Sequence, residues 1–127
     1  MERLLAISAA GAVGTALRYL IGLGAVRFIG DGWPYGTLAV NLLGCFLMAI
    51  VMNVAAASSD FSPTLRLTLT TGFMGGLTTY SAFNYETTKL FTDQRAMSGA
   101  LNLGVTVGGC FVMGLLGTFV ARRIVTG

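Results

Sequence analysis

Four long apolar runs, separated by short polar connections, occupy almost the whole chain. They span residues 4–26, 36–57, 65–90 and 97–120. Each run is long enough to cross a hydrocarbon core of about 30 Å as an α-helix. The connections carry turn-forming and charged residues, which suit the ends of membrane helices. The pattern therefore predicts one all-α membrane domain, residues 1–127, with four transmembrane helices.

The first run has two possible interpretations, because a secretory signal peptide is also an apolar segment near the N-terminus. This run is longer than the apolar core of a signal peptide, and Arg18 interrupts it late. Further apolar runs follow it. We therefore expect residues 4–26 to form a retained membrane helix.

Composition narrows the possible functions. Of the 127 residues, 54% are hydrophobic and only 10% are charged, which is typical of a membrane protein rather than of a soluble domain. The absence of histidine excludes His-ligated metals and Ser-His or Cys-His catalytic pairs. The basic residues are not clustered, so no nucleic-acid-binding surface is indicated. We expect a protein that contacts the lipid bilayer, binds no nucleic acid and is not an enzyme.

The two cysteines, Cys45 and Cys110, lie inside apolar runs. A small thiol in such a position is more typical of helix packing than of redox chemistry. We therefore do not expect a disulfide between them.

The positive charges of the connections are balanced between the two sides of the membrane. With alternating spans, one side holds Arg3, Arg66, Arg122 and Arg123, and the other holds Arg27, Lys89 and Arg95, with Arg18 close to it. An excess of Lys and Arg marks cytoplasmic loops, so this balance sets no preferred orientation. Copies inserted both ways up can pair about a two-fold axis in the membrane plane. We therefore expect an antiparallel homodimer with dual topology.

The third run contains a segment that is poorly suited to a continuous helix. It reads Thr71-Gly72-Phe73-Met74-Gly75-Gly76-Leu77-Thr78-Thr79-Tyr80-Ser81-Ala82-Phe83. Three glycines within five residues disfavour helix, and the hydroxyl side chains that follow compete for backbone hydrogen bonds. A broken helix is tolerated at membrane depth only where its free backbone groups face protein, water or an ion. We predict that the third helix is broken mid-membrane; a tightly packed, glycine-softened helix is the alternative.

Two polar side chains inside the first two runs have two possible roles each. Arg18 can extend to the membrane surface, or it can attract an anion into a water-filled vestibule, with Glu86 as its partner or at the opposite mouth. Asn41 can hydrogen-bond a neighbouring helix, or its amide can donate to an anion that has lost water. The residues alone leave these alternatives open.

Tyr80 and Phe83 are three residues apart, so they share a face of any helix that follows the break. Aromatic packing is the usual role of such a pair, but ring edges are electropositive and can stabilise a dehydrated anion. On the fourth run, Asn102, Thr106 and Cys110 form a mildly polar stripe, which suits a helix contact or the wall of an ion path.

These residues resemble the signatures of a known family. Gly36-Thr37-Leu38, Val40-Asn41-Leu42 and the third-run segment 71–83 are similar to those of the Fluc (CrcB) fluoride channels. Leu17-Arg18-Tyr19 and the four-span length agree, so the resemblance covers essentially the whole chain. It implies a fluoride-selective channel of the cell inner membrane, which exports cytoplasmic fluoride down its electrochemical gradient and confers fluoride resistance.

The resemblance also implies where the sites lie. It implies an antiparallel homodimer with two pores and a central, structural sodium ion, bound by the backbone carbonyls of Gly75 and Thr78 from both subunits. The implied fluoride path contains Arg18, Thr37, Asn41, Tyr80, Ser81, Phe83 and Thr106. The sequence departs from the family at Tyr80, where Phe is usual, and on the fourth run, which has fewer hydroxyl groups.

Two other functions share some of these features. A small, dual-topology, proton-coupled exporter has the same size and number of spans, but it needs a titratable carboxylate within the membrane, and only Glu86 qualifies. A non-transporting assembly subunit needs only glycine-rich helices, and it leaves a broken third helix unexplained. Both functions remain alternatives to the channel at this point.

Overall fold

The structure, a computed structural model, describes residues 1–127. It is all-helical and contains no strand. The helices are α1 (Glu2–Phe28), α2 (Tyr35–Ala57), α3 (Pro63–Leu67), α4 (Gly75–Leu77), α5 (Tyr80–Thr92) and α6 (Ala96–Thr126), with a π-helical segment, Thr68–Met74, between α3 and α4.

Three helices, α1, α2 and α6, are long and apolar enough to cross a membrane. They contain the predicted runs 4–26, 36–57 and 97–120. The remaining run, 65–90, is divided among shorter elements, from α3 to α5, which together we call the composite segment (residues 63–92). The all-α class predicted from the sequence is therefore confirmed, with three candidate spans.

The composite segment is interrupted at Thr78 and Thr79. Helix α4 ends at Leu77, and both threonines have extended backbone, with φ and ψ of −87° and 156° at Thr78 and −152° and 112° at Thr79. The Thr79 hydroxyl accepts a hydrogen bond from the amide of Ala82 at 3.2 Å, which caps the N-terminus of α5. The glycines that disfavour helix in the sequence lie upstream, in helical backbone.

Glycines bring α1 into close contact with the composite segment. A Cβ atom at Gly76 would collide with the carbonyl oxygen of Gly11, and one at Gly14 would collide with that of Phe73. Lipid tails are as apolar as the side chains, so the hydrophobic effect does not drive helices together within a membrane. Close packing drives their association instead. These small residues therefore let the two backbones approach each other directly.

Helix α2 is central, because it contacts both α1 and α6 as well as the composite segment. Its contact with α6 again depends on small residues. Gly117 packs against the backbone of Phe46, and a Cβ atom at Gly109 would lie 2.9 Å from the side chain of Leu42. Helix α2 therefore contacts both the interrupted composite segment and α6.

Two connections meet at one end of the molecule. The indole nitrogen of Trp33 donates to the carbonyl of Ser98 at 3.3 Å, and the guanidinium of Arg95 donates to the carbonyl of Gly32 at 2.8 Å. These bonds tie the connection between α1 and α2 to the beginning of α6.

Replacing Gly14 by alanine should destabilise the protein, because the added methyl group would overlap the carbonyl of Phe73. We expect a loss of about 1–3 kcal/mol, the usual cost of overpacking. Gly24→Ala, on the same helix, is the matched control, since a Cβ atom at Gly24 meets no atom within 4 Å. Thermal unfolding of the two purified variants measures the difference. Equal unfolding midpoints would contradict the close contact between α1 and the composite segment.

Candidate functional site

The interruption at Thr78 and Thr79 is held by α2. The amide nitrogen of Asn41 donates to the carbonyl of Thr79 at 3.1 Å, and the backbone amide of Thr79 donates to Asn41 Oδ1 at 2.8 Å. One side-chain amide thus satisfies both backbone groups of an extended residue. Gly44, nearly one turn further along α2, is buried and leaves room for the methyl group of Thr78.

This pairing sets what Asn41 can still do. The side chain is only 8% exposed. Its amide carries two N–H donors, and one of them is bonded to Thr79. Asn41 therefore makes a contact between helices and retains one N–H for another acceptor.

A groove of about 690 Å³ opens beside this contact, between α2, α5 and α6. We call it the α2–α6 groove. Its walls include Asn41, Cys45, Tyr80, Phe83, Thr106 and Cys110. The sequence-predicted residues Asn41, Tyr80, Phe83 and Thr106 are therefore brought together in one cavity.

Tyr80 and Phe83 form an edge-on aromatic pair at this groove. Their ring centroids are 5.8 Å apart and their planes are inclined by 65°. Phe83 is 5% exposed, whereas Tyr80 is 79% exposed. Within one chain, Phe83 is part of the packed interior and Tyr80 faces outward.

A buried series of hydrogen bonds connects α6 to α5 beside the groove. The hydroxyl of Thr106 donates to Asn102 Oδ1 at 3.4 Å, and Asn102 Nδ2 donates to the hydroxyl of Thr87 at 2.8 Å. Thr87 in turn donates to the carbonyl of Phe83 at 2.7 Å. The sequence indicated the stripe of Asn102 and Thr106 but not Thr87, because spacing within one helix does not reveal a partner on another.

Arg18 and Thr37 line a second cavity, of about 360 Å³, which Thr79 also borders. Thr79 therefore borders both this cavity and the α2–α6 groove. The hydroxyl of Thr37 donates to one carboxylate oxygen of Glu86 at 2.8 Å, and the other oxygen is buried without a partner. Glu86 is thus bonded to Thr37 and not to Arg18, the partner considered for it from the sequence.

Ser81 stands apart from the other predicted residues. It is exposed, and its hydroxyl oxygen lies 3.4 Å from that of Thr79. It lines neither the α2–α6 groove nor the second cavity.

Gly75 begins the short helix α4 and Thr78 directly follows it, where the helical hydrogen-bond pattern stops. In a continuous α-helix the amide of Thr79 would bond to the carbonyl of Gly75, but here it bonds to Asn41. Gly75 is exposed, and Thr78 is extended. No group of three or more His, Cys, Asp or Glu side chains is placed to hold a metal. Backbone carbonyl oxygens, which suit a hard cation, are therefore the donors that this turn offers.

Comparison with known proteins identifies relatives along the full length of the chain. The family model described as CrcB-like protein, Camphor Resistance (CrcB), matches residues 5–118. A protein of Sorangium cellulosum (strain So ce56), named fluoride-specific ion channel FluC, is 45% identical over 127 residues, which are all of both chains. Proteins with the same name from Geobacter sulfurreducens and Anaeromyxobacter sp. (strain K) are each 44% identical, over 98% and 96% of this chain and 100% and 97% of theirs.

Asn41→Ala should destabilise the protein, because it leaves the amide and the carbonyl of Thr79 without partners. Each unpaired group costs about 1–3 kcal/mol when it is buried. Asn53→Ala is the matched control on α2, since Asn53 bonds at 2.7 Å to Ala49 of its own helix and only at 3.4 Å to Thr118 of α6, and it pairs no extended backbone. Free energies of unfolding in detergent compare the two variants. A loss at Asn41 no larger than that at Asn53 would mean that the contact with Thr79 is not stabilising.

Proposed function

Because the chain belongs to the CrcB family, we propose that it is a fluoride-selective ion channel that exports cytoplasmic fluoride down its electrochemical gradient. One observation carries this proposal: full-length relatives of 44–45% identity are named fluoride-specific ion channels. An ion channel transports and does not catalyse, so the protein is not an enzyme. It is a multi-pass protein of the cell inner membrane, and its activity would confer fluoride resistance.

We propose that fluoride passes through the α2–α6 groove. Fluoride holds its hydration water strongly, so a narrow path must replace that water with other donors. The free N–H of Asn41 and the electropositive ring edges of Tyr80 and Phe83 are such donors. The hydroxyl of Thr106 would join them by turning away from its long, 3.4 Å bond to Asn102. Their presence in one groove supports this path.

The remaining path residues would act at its approaches. The second cavity, which contains Arg18 and Thr37, would be a vestibule in which the guanidinium raises the local concentration of anions. The Ser81 hydroxyl, next to that of Thr79, would add a donor on the exposed side of α5. Because Thr79 borders both cavities, an ion could move from one to the other past this residue.

We propose that the composite segment is the third of four membrane spans and that its interruption lies mid-membrane. Extended backbone at that depth needs partners, because no water is available to it in the hydrocarbon region. Asn41 supplies both partners for Thr79, which supports this position.

The functional unit would be an antiparallel homodimer of dual topology with two pores. The balanced loop charges allow both orientations. Tyr80 and Phe111 line the groove but are 79% and 69% exposed, so one chain does not enclose the groove. A second copy would cover these rings and complete the path.

A structural sodium ion would be held by the backbone carbonyls of Gly75 and Thr78 from both subunits. Hard cations take oxygen ligands, and the bond from Thr79 to Asn41 leaves the Gly75 carbonyl without its helical partner. When bound, the ion would balance the carbonyl dipoles and join the two subunits.

The position of Glu86 favours a channel over a proton-coupled exporter. Glu86 is the only carboxylate within the predicted membrane runs, and it does not line the α2–α6 groove. The titratable group that an exporter needs would therefore lie outside the groove, beside Thr37 at the approach to the path. A non-transporting subunit would use Asn41 and Thr106 only for contacts within the protein, and the second N–H of Asn41 would have no role.

Purified protein in liposomes should release trapped fluoride without an imposed proton gradient, and it should release chloride far more slowly. Ion-selective electrodes measure both rates. A proton-coupled exporter would require the gradient, and a non-transporting subunit would release neither ion. Equal rates for fluoride and chloride, or no release of fluoride, would contradict the proposal.

Two aromatic variants test the role of the rings. Tyr80→Phe should retain fluoride release, because it keeps the ring edge and removes only a hydroxyl group. Phe83→Ile keeps an apolar side chain but loses the edge, and it should reduce fluoride release severely. Release is measured per folded dimer, and gel filtration of the same samples controls for misfolding caused by a cavity. Should Phe83→Ile conduct like the parent, the rings serve packing alone.

A further inference from the structure

Four sulfur-bearing side chains line the α2–α6 groove. They are Cys45, Met48 and Met52 on α2 and Cys110 on α6. Residues three, four or seven apart lie on one face of a helix, so the three α2 side chains form a continuous strip. Thiol and thioether sulfurs are soft and polarisable, which gives this part of the groove a chemistry distinct from its polar donors.

Cys45 and Cys110 bring two thiols together across the contact between α2 and α6. Both side chains line the same groove, both residues are half-buried, and neither forms a disulfide. Cys45 follows Asn41 by one helical turn, and Cys110 follows Thr106 by one turn. The thiol pair therefore lies next to the polar residues of the groove.

The composition of the groove selects a class of metal ion. Its lining includes no carboxylate, and the chain contains no histidine. Divalent hard cations therefore lack the carboxylates that usually bind them there, and the common tetrahedral zinc sites lack two of their four Cys or His ligands. Thiolate and thioether ligands favour soft ions such as Cu(I). Cu(I) and Ag(I) also accept low coordination numbers, which a few sulfur atoms can satisfy.

We propose that Cys45 and Cys110, together with the thioether of Met48, form a binding site for a soft monovalent cation, Cu(I) or Ag(I). One thiol releases its proton to water, and the resulting thiolate binds the cation. The second thiol and the thioether each donate an electron pair and stay uncharged. The oxidation state of the cation does not change. The bound group is then neutral overall, which avoids placing a net charge in an apolar groove.

Occupation of this sulfur site would obstruct ion movement beside Asn41 and Thr106. This consequence rests on the proposed fluoride path, whereas metal binding itself does not. A tightly held cation narrows the groove, and its sulfur ligands join α2 to α6. Fluoride release should therefore fall when the site is filled.

Competition with the Cu(I) chelator bicinchoninate tests binding on purified protein. The parent should withdraw one Cu(I) per chain, and Cys45→Ala and Cys110→Ala should each weaken binding by about tenfold or more, since each removes a soft ligand. Met113→Leu is the matched control, because it removes a sulfur from α6 that does not line the groove. Gel filtration confirms that every variant is folded. A parent that binds no Cu(I), or a Cys45→Ala and Cys110→Ala double variant that binds as tightly as the parent, overturns the proposal.

Fluoride release from liposomes then tests the consequence. Silver nitrate in chloride-free buffer should block the parent, and the double variant should resist the block relative to its own rate without silver. Block of both proteins alike would place the inhibitory silver elsewhere and would count against this site. A parent that releases no fluoride before silver is added speaks against the proposed channel, and the Cu(I) titration still decides the sulfur site.

Discussion

The pair of hydrogen bonds between Asn41 and Thr79 is the interaction on which the groove depends. An extended residue in apolar surroundings must pair both its amide and its carbonyl, or each unpaired group costs about 1–3 kcal/mol. Asn41 satisfies both groups with a single side chain. Thr79 also caps α5 through its hydroxyl. The same contact therefore fixes where α5 begins, and with it the positions of Tyr80 and Phe83 on the wall of the groove.

Close backbone packing supports this contact from the other side. Gly14 of α1 leaves no room for a side chain against Phe73, and Gly76 leaves none against Gly11. The composite segment is thus held by α1 through glycines and by α2 through one amide. These contacts hold the backbone of the composite segment from two sides. The position of α5 therefore does not depend on burying Tyr80, which is exposed at the groove.

The sequence was sufficient to predict the long helices α1, α2 and α6, because each contains an apolar run as long as a membrane span. It was less informative about the interruption. Gly72 and Gly76 suggested flexible backbone, yet both are helical, since close packing on α1 outweighs their low helix propensity. The bonds of Asn41 join residues 38 positions apart, and Cys45 and Cys110 line one groove from different helices. Such partners depend on tertiary packing, which the local pattern does not contain.

Asn41 connects the fold to the proposed function, because it holds the interruption and keeps one N–H for an anion. Asn41→Asp tests this claim most directly. The substitution keeps an oxygen for the amide of Thr79, but it removes both N–H donors and adds a negative charge when ionised. We predict that the variant still forms a dimer by gel filtration and that its fluoride release per dimer in liposomes falls to a small fraction of the parent rate. Release at the parent rate would contradict the claim that this amide lies in the fluoride path.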